Sequence, residues 1–180
     1  MGTITRSFAN LITANGPSAL PSGVGGKVLQ VVQGRNNYAA TYTSTSATDF
    51  LSASATTWEV SITPTSSSSK ILVLETLFLV NGDTGDSSQE KRFFINLNRK
   101  IGAGSYSSIR SSSWYGHYYY NASQRVDLDA FSHSESILDE PATTSQVTYK
   151  YQVGCHGTQR NVNHLGDNKY SVINLLEVAG

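Results

Sequence analysis

The run ILVLETLFLV, residues 71–80, is the feature that any fold of this chain must accommodate. It is apolar apart from Glu75 and Thr76, and only Lys70 separates it from the polar stretch TPTSSSS, residues 63–69. At ten residues it is far too short to cross a bilayer as a helix, which takes ~20. A Ser/Thr/Pro turn leading straight into such a run predicts a core strand needing cover on both faces.

The neighbouring segments settle the class. In WEVSIT, Trp58, Val60 and Ile62 alternate with Glu59, Ser61 and Thr63, the period of two of a half-buried strand. QVTYKYQV repeats the pattern with Val147, Tyr149, Tyr151 and Val153 on one face, and RFFINLNR does so with Phe93, Ile95 and Leu97. SVINLLEV is apolar on both faces except for Asn174 and Glu177, as expected of a central strand, and GKVLQVVQ adds a strand over 26–33. Weaker strand patterns cover 38–45, 114–120, 124–131 and 134–138. Helical spacing occurs only near the start, where Ile4, Phe8, Leu11 and Ile12 line one face of a short segment. NGPSALPSGVGG follows, with two prolines and four glycines in twelve residues, and reads as a linker. The expected architecture is therefore all-β: an antiparallel β-sandwich of the jelly-roll kind over residues 26–180, preceded by a short N-terminal arm and linker over 1–25.

Composition narrows the partners. Lys plus Arg equals Asp plus Glu at 13 each, and charged residues are 14% of the chain, against roughly 25% in an ordinary domain. With no basic run there is no electrostatic footprint for nucleic acid, and with no long apolar segment there is no membrane insertion to expect. No basic-then-apolar leader opens the chain, so synthesis in a cytosol is the expectation. The single Cys155 forms no internal disulfide and falls short of a Cys-based zinc site; a core or loop thiol is its expected role. The ten tyrosines suit a sandwich with rings packed and hydroxyls reaching the surface.

GKVLQVVQG, SITPTSSSSKILVLETLFLV, LDEPATTSQVTYKYQV and YSVINLLEV, taken in that order across residues 26–178, resemble phage-encoded jelly-roll virion proteins. The resemblance is to the tail-fibre or receptor-binding type known from cyanophages and other marine phages, and it is carried by strands, not by a catalytic signature. It implies a virion location after assembly in the host cytoplasm, and a homotrimer. On that footing Ile4, Phe8, Leu11 and Ile12 are the expected anchor, burying against another virion protein of the baseplate or tail. The alternative is a capsid-decorating protein whose arm lies across the major capsid protein. A capsule depolymerase is a distant third reading.

SSSWYGHYYYN, residues 111–121, is the densest aromatic cluster. Trp114, Tyr115, Tyr118, Tyr119, Tyr120 and Asn121 offer ring faces and hydroxyls to a host-surface glycan, or equally to an intersubunit contact. Asp127 and Asp129 share a strand face, with Glu135, Asp139 and Glu140 close behind. Paired carboxylates serve glycoside hydrolysis, but a solvated strand edge is the expected reading. NGDTGD, residues 81–86, lacks the ligand order of a calcium loop and reads as a hairpin turn. His117, His133, His156 and His164 form no metal-binding pair in sequence. No catalytic residue, metal or cofactor is expected, and the protein is not expected to be an enzyme.

Overall fold

The structure is a computed structural model that describes residues 27–53, 55–82, 93–111, 128–155, 161–164 and 170–180. Its strands are β1 (Val28–Asn36), β2 (Ala40–Tyr42), β3 (Thr48–Asp49), β4 (Glu59–Ile62), β5 (Lys70–Gly82), β6 (Phe93–Ile101), β7 (Ser107–Ser111), β8 (Leu128–Asp139), β9 (Val147–Cys155), β10 (Asn161–His164) and β11 (Ser171–Val178). Every pairing is antiparallel, and there is no helix among the described residues.

Two sheets result. In the first, β5 is central: β8 runs along one edge, while β11 and then β10 share the other. Beyond these, β1 pairs with β11 and β2 with β10. In the second, β9 carries β3 and β4 on one edge and β6 on the other, with β7 outside β6. If β1/β2, β3/β4 and β10/β11 are each counted as one interrupted strand, eight strands remain, in the spatial orders first–eighth–third–sixth and second–seventh–fourth–fifth. That interleaving is the jelly roll.

Period-two alternation builds the core. Ile71, Val73, Leu77 and Leu79 of β5 and Ile173 and Leu175 of β11 face Phe93, Ile95 and Leu97 of β6 and Val147 and Val153 of β9. Trp58, Val60, Ile62, Phe50 and Tyr42 close the side where β4 lies. Gly34 sits where β1 passes β4, and a Cβ there would overlap the Val60 side chain, so glycine is needed for the close approach. Cys155 is buried, its thiol 3.1 Å from the Tyr42 carbonyl oxygen, as a core thiol.

Three expectations are revised. The two weak strands over 124–131 and 134–138 are one strand from Leu128 onward, because continuous pairing with β5 overrides the polar residues between them. The hydroxyls of Tyr149 and Tyr151 do not reach the surface; both residues are fully buried. The β5 run is covered on one face only by the described residues, its outer side chains Leu72, Leu74 and Phe78 remaining half-buried.

The polar stretch before β5 also finds its reason. Glu177, on the inner face of β11, has no exposed surface. Thr65 donates to its Oε1 through both backbone N–H and hydroxyl, each at 2.7 Å, and Gln30 Nε2 donates to its Oε2 at 2.7 Å. Gln30 also reaches the Thr63 carbonyl, so the 63–69 loop is folded around one carboxylate. Burial pushes the Glu177 pKa up, but the Ser69 hydroxyl beside it and the donors from Gln30 and Thr65 outweigh burial and hold it at about 2, against an ordinary 4.5. The folded-state pKa is depressed, so the stabilisation is complete above about pH 4.5 and is lost as pH falls towards 2. Glu177→Gln should lower stability at pH 7 by about 1–3 kcal/mol. Denaturant titrations of the two proteins should converge as pH falls through that window; a pH-independent gap would assign the loss to packing.

Candidate functional site

The most unusual chemistry lies inside the sandwich. Antiparallel pairing places Glu75 of β5 directly opposite Glu135 of β8, with Leu77 opposite His133 and Ile71 opposite Asp139. Ile71 and Leu77 are core residues, so the same parity turns Glu75, His133, Glu135 and Asp139 inward. Like charges directly opposite on a ladder repel. Something between the sheets must compensate them.

The second sheet supplies part of the answer. Leu97 of β6 is fully buried and pairs with Arg110 of β7, which puts the guanidinium on the inner face, where it forms an ion pair with Glu135. His133 Nε2 lies 3.1 Å from Glu75 Oε1 and 3.9 Å from Glu135 Oε2. The Glu75 side chain is completely buried and His133 is 11% exposed. Tyr151 of β9, also fully buried, projects its hydroxyl towards the same carboxylates. Burial first, and then the negative charge of Glu75, push the Tyr151 pKa well up, so the phenol stays protonated. Donor atoms of Glu75, His133 and Glu135 all lie within 4.8 Å of one another, the one such cluster of metal-ligating side chains among the described residues.

A second polar group lies at the adjoining inward positions of β8. Asp139 accepts from Arg99 of β6 at 2.6 Å and from the Tyr149 hydroxyl of β9 at 2.7 Å, tying the edge of one sheet to the middle of the other. Burial, followed by the bond to Asp139, raises the Tyr149 pKa far above its ordinary value. On the outer face of the second sheet, Asp49 accepts from Lys150 Nζ and Gln152 Nε2, each at 2.7 Å. Tyr106 lies over this group, its ring centroid 4.2 Å from Lys150 Nζ and 4.8 Å from Lys100 Nζ. Burial would raise the Asp49 pKa, but its bonds to Lys150 and Gln152 lower it overall.

The outer face of the first sheet is different in kind. Register aligns Val31, Leu176, Leu72 and Leu138 in one row across four strands. Val31 is 59% and Leu138 54% exposed, with Val28 and Leu29 exposed beside them. Rows on either side carry Gln33, Asn174, Leu74 and Ser136, or end at the Lys70–Glu140 ion pair. An apolar stripe of this kind on a charge-poor sheet is a candidate interaction surface.

Most residues singled out by sequence lie elsewhere. The aromatic cluster Trp114, Tyr115, Tyr118, Tyr119, Tyr120 and Asn121 and the arm residues Ile4, Phe8, Leu11 and Ile12 fall outside the described residues, as do Asp127, His117, His156 and residues 83–86 of the acidic turn. Within them, Glu135 and Asp139 are not a solvated strand edge: both point inward and are paired with arginines. Parity was the available signal, since Ile137 is apolar and shares a face with both. Arg110 had no such signal, because β7 is a short Ser-rich strand with a register shift beside Leu97.

No family model matches the sequence, and no curated protein matches it. Among solved structures the chain is similar to one from the Gx strain of infectious bursal disease virus, at 10% identity and a TM-score of 0.34, covering 85% of this chain and 43% of that one. A structure of the Gt strain of the same virus gives 10% identity and a TM-score of 0.32, covering 86% of this chain and 39% of that one. The matched region thus spans less than half the length of either viral chain. The jelly roll stands on the strand order and register described above.

Asp139→Ala leaves Arg99 and the Tyr149 hydroxyl without their shared acceptor and should destabilise the fold by about 3 kcal/mol. Tyr149→Phe removes one neutral donor and should cost about 1 kcal/mol. Urea denaturation of the two variants and of the double variant should show coupling, the phenol contributing little once the carboxylate is gone.

Proposed function

We infer that the protein is a virion structural component, a jelly-roll unit that works by assembly and not by catalysis. The observation that carries this reading is the row Val31–Leu176–Leu72–Leu138, which gives the outer face of the first sheet an apolar stripe with no charge within it and exposed ends at Val31 and Leu138. A chain with only 14% charged residues costs little to desolvate in such contacts. The order of the four sequence segments that resemble phage virion proteins supports the same reading.

In its finer form, the protein is a short tail fibre. Three copies meet with their apolar sheet faces around a threefold axis, residues 1–25 attach the trimer to the baseplate or tail, and Trp114–Asn121 face a host-surface glycan. A capsid-decorating role is the competing form. It would use the same apolar stripe, which would then lie on the head lattice.

Leu138→Glu and Val31→Glu test the assembly surface directly. Both side chains are largely exposed in the single chain, so folding stability should change by less than about 0.5 kcal/mol. Light scattering should move from trimer mass to monomer mass; an unchanged trimer would remove this face from the interface. Electron microscopy of labelled particles then separates the two forms: copies at the tail support the fibre, and copies in hundreds on the capsid overturn it.

A further inference from the structure

We propose that Glu75, His133 and Glu135 bind a divalent first-row transition-metal ion inside the sandwich, between β5 and β8. Glu75 and Glu135 occupy directly paired positions on the inner face, an arrangement that is unfavourable unless a cation lies between them. Arg110 pairs with Glu135 and so supplies one positive charge against two negative ones. The other carboxylate is left poorly served. Glu75 has no exposed side-chain surface, and neither of its oxygens receives a hydrogen bond of good geometry. His133 Nε2 approaches Glu75 Oε1 to 3.1 Å, as two ligand atoms that converge on a common point do. A buried carboxylate in that state needs an explanation, and an ion is one.

A second, independent group points into the same space. The Tyr151 hydroxyl is fully buried and within hydrogen-bonding reach of Glu75, but no bond of good geometry forms. It is placed to donate to a metal-bound carboxylate oxygen, the kind of outer partner that orients ligands. The separations of 3.1 and 3.9 Å from His133 Nε2 fit atoms held ~2.1 Å from a shared ion, and the 4.8 Å span of the three donor atoms would have to close to about 4.2 Å or less on binding. Two carboxylates and one imidazole suit zinc, manganese or ferrous iron; calcium and magnesium prefer all-oxygen shells with more ligands. Bound there, the ion would clip the edge strand β8 to the central β5 and free Arg110 from sole charge of the site.

The test uses the full-length protein, stripped with a chelator and then dialysed against Zn²⁺ or Mn²⁺. Elemental analysis after gel filtration should find about one equivalent per chain, and the melting temperature should rise by several degrees, roughly 5 °C at a hundredfold excess over Kd. Glu75→Gln and His133→Gln should each abolish both effects. Should Glu75→Gln fail to fold, His133→Gln, nearer the rim, carries the comparison. Co²⁺ substitution gives a further readout, since imidazole-dependent visible bands should vanish in His133→Gln. Failure of the wild type to retain metal would overturn the proposal, as would equal retention by the wild type and both variants, which would place the metal on other histidines.

Discussion

The register between β5 and its neighbours is the constraint on which the rest of the structure depends. β5 pairs with β8 over its length on one edge and with β11 and β10 in succession on the other. Side chains alternate strictly along a strand, so a slip of one residue against either neighbour would turn every inward group outward. On the β11 side a slip would expose Ile173, Leu175 and the buried Glu177. On the β8 side it would expose Ile137 and turn Ser134, Ser136 and Leu138 inward, leaving Arg99 and Arg110 without their carboxylates. One strand therefore carries two registers, one enforced mainly by apolar burial and the other mainly by charge.

The division follows the shape of the sandwich. Where β1, β4 and β11 meet, the sheets come close enough that Gly34 leaves no room for a Cβ against Val60, and the filling is aliphatic and aromatic. At the opposite side, β7 and β8 are edge strands, and the space between them is filled by Arg99, Arg110, His133, Glu135 and Asp139. Apolar residues of similar volume would often be as stabilising as buried ion pairs. Charge, however, gives specificity, because each carboxylate on β8 has a partner only in one register with β5 and one placement of β6 and β7. Glu75 is the exception: set one strand further in, it has His133 and Tyr151 beside it but no arginine of its own.

Much of this was legible in the sequence. The inward sets Trp58/Val60/Ile62, Phe93/Ile95/Leu97 and Val147/Tyr149/Tyr151/Val153 follow from alternation alone, and SVINLLEV is central as its two-sided apolarity requires. The polar inner face was hidden for a physical reason. Parity arguments treat a charged side chain as a marker of the solvent face, and that convention fails where a facing sheet supplies counter-charges. The acidic residues of β8 are separated by 25 or more positions from Arg110 and Arg99, so only the folded chain brings them together. Short strands such as β3, β7 and β10 escaped notice as well; with two to five residues each, they owe their conformation to the ladder they join rather than to their own pattern.

The run from which the sequence argument began also bears on what the molecule is built to do. ILVLETLFLV called for cover on both faces, and the second sheet covers only the face that carries Ile71, Val73, Leu77 and Leu79. On the other face, Leu72 and Leu74 join Leu176, Val31 and Leu138 in a surface whose exposure is far from uniform: the central strands are half-buried by their neighbours, whereas the two edge strands contribute the most exposed side chains. A partner packed there would gain most at the margins, on β1 and β8, where each aliphatic side chain still has most of its surface to bury. The same strand β8 whose inner face is held by charge thus offers its outer face for association. Alternate residues of this one edge strand thus serve two surfaces, His133, Glu135 and Asp139 the internal polar cluster and Leu138 the external apolar stripe.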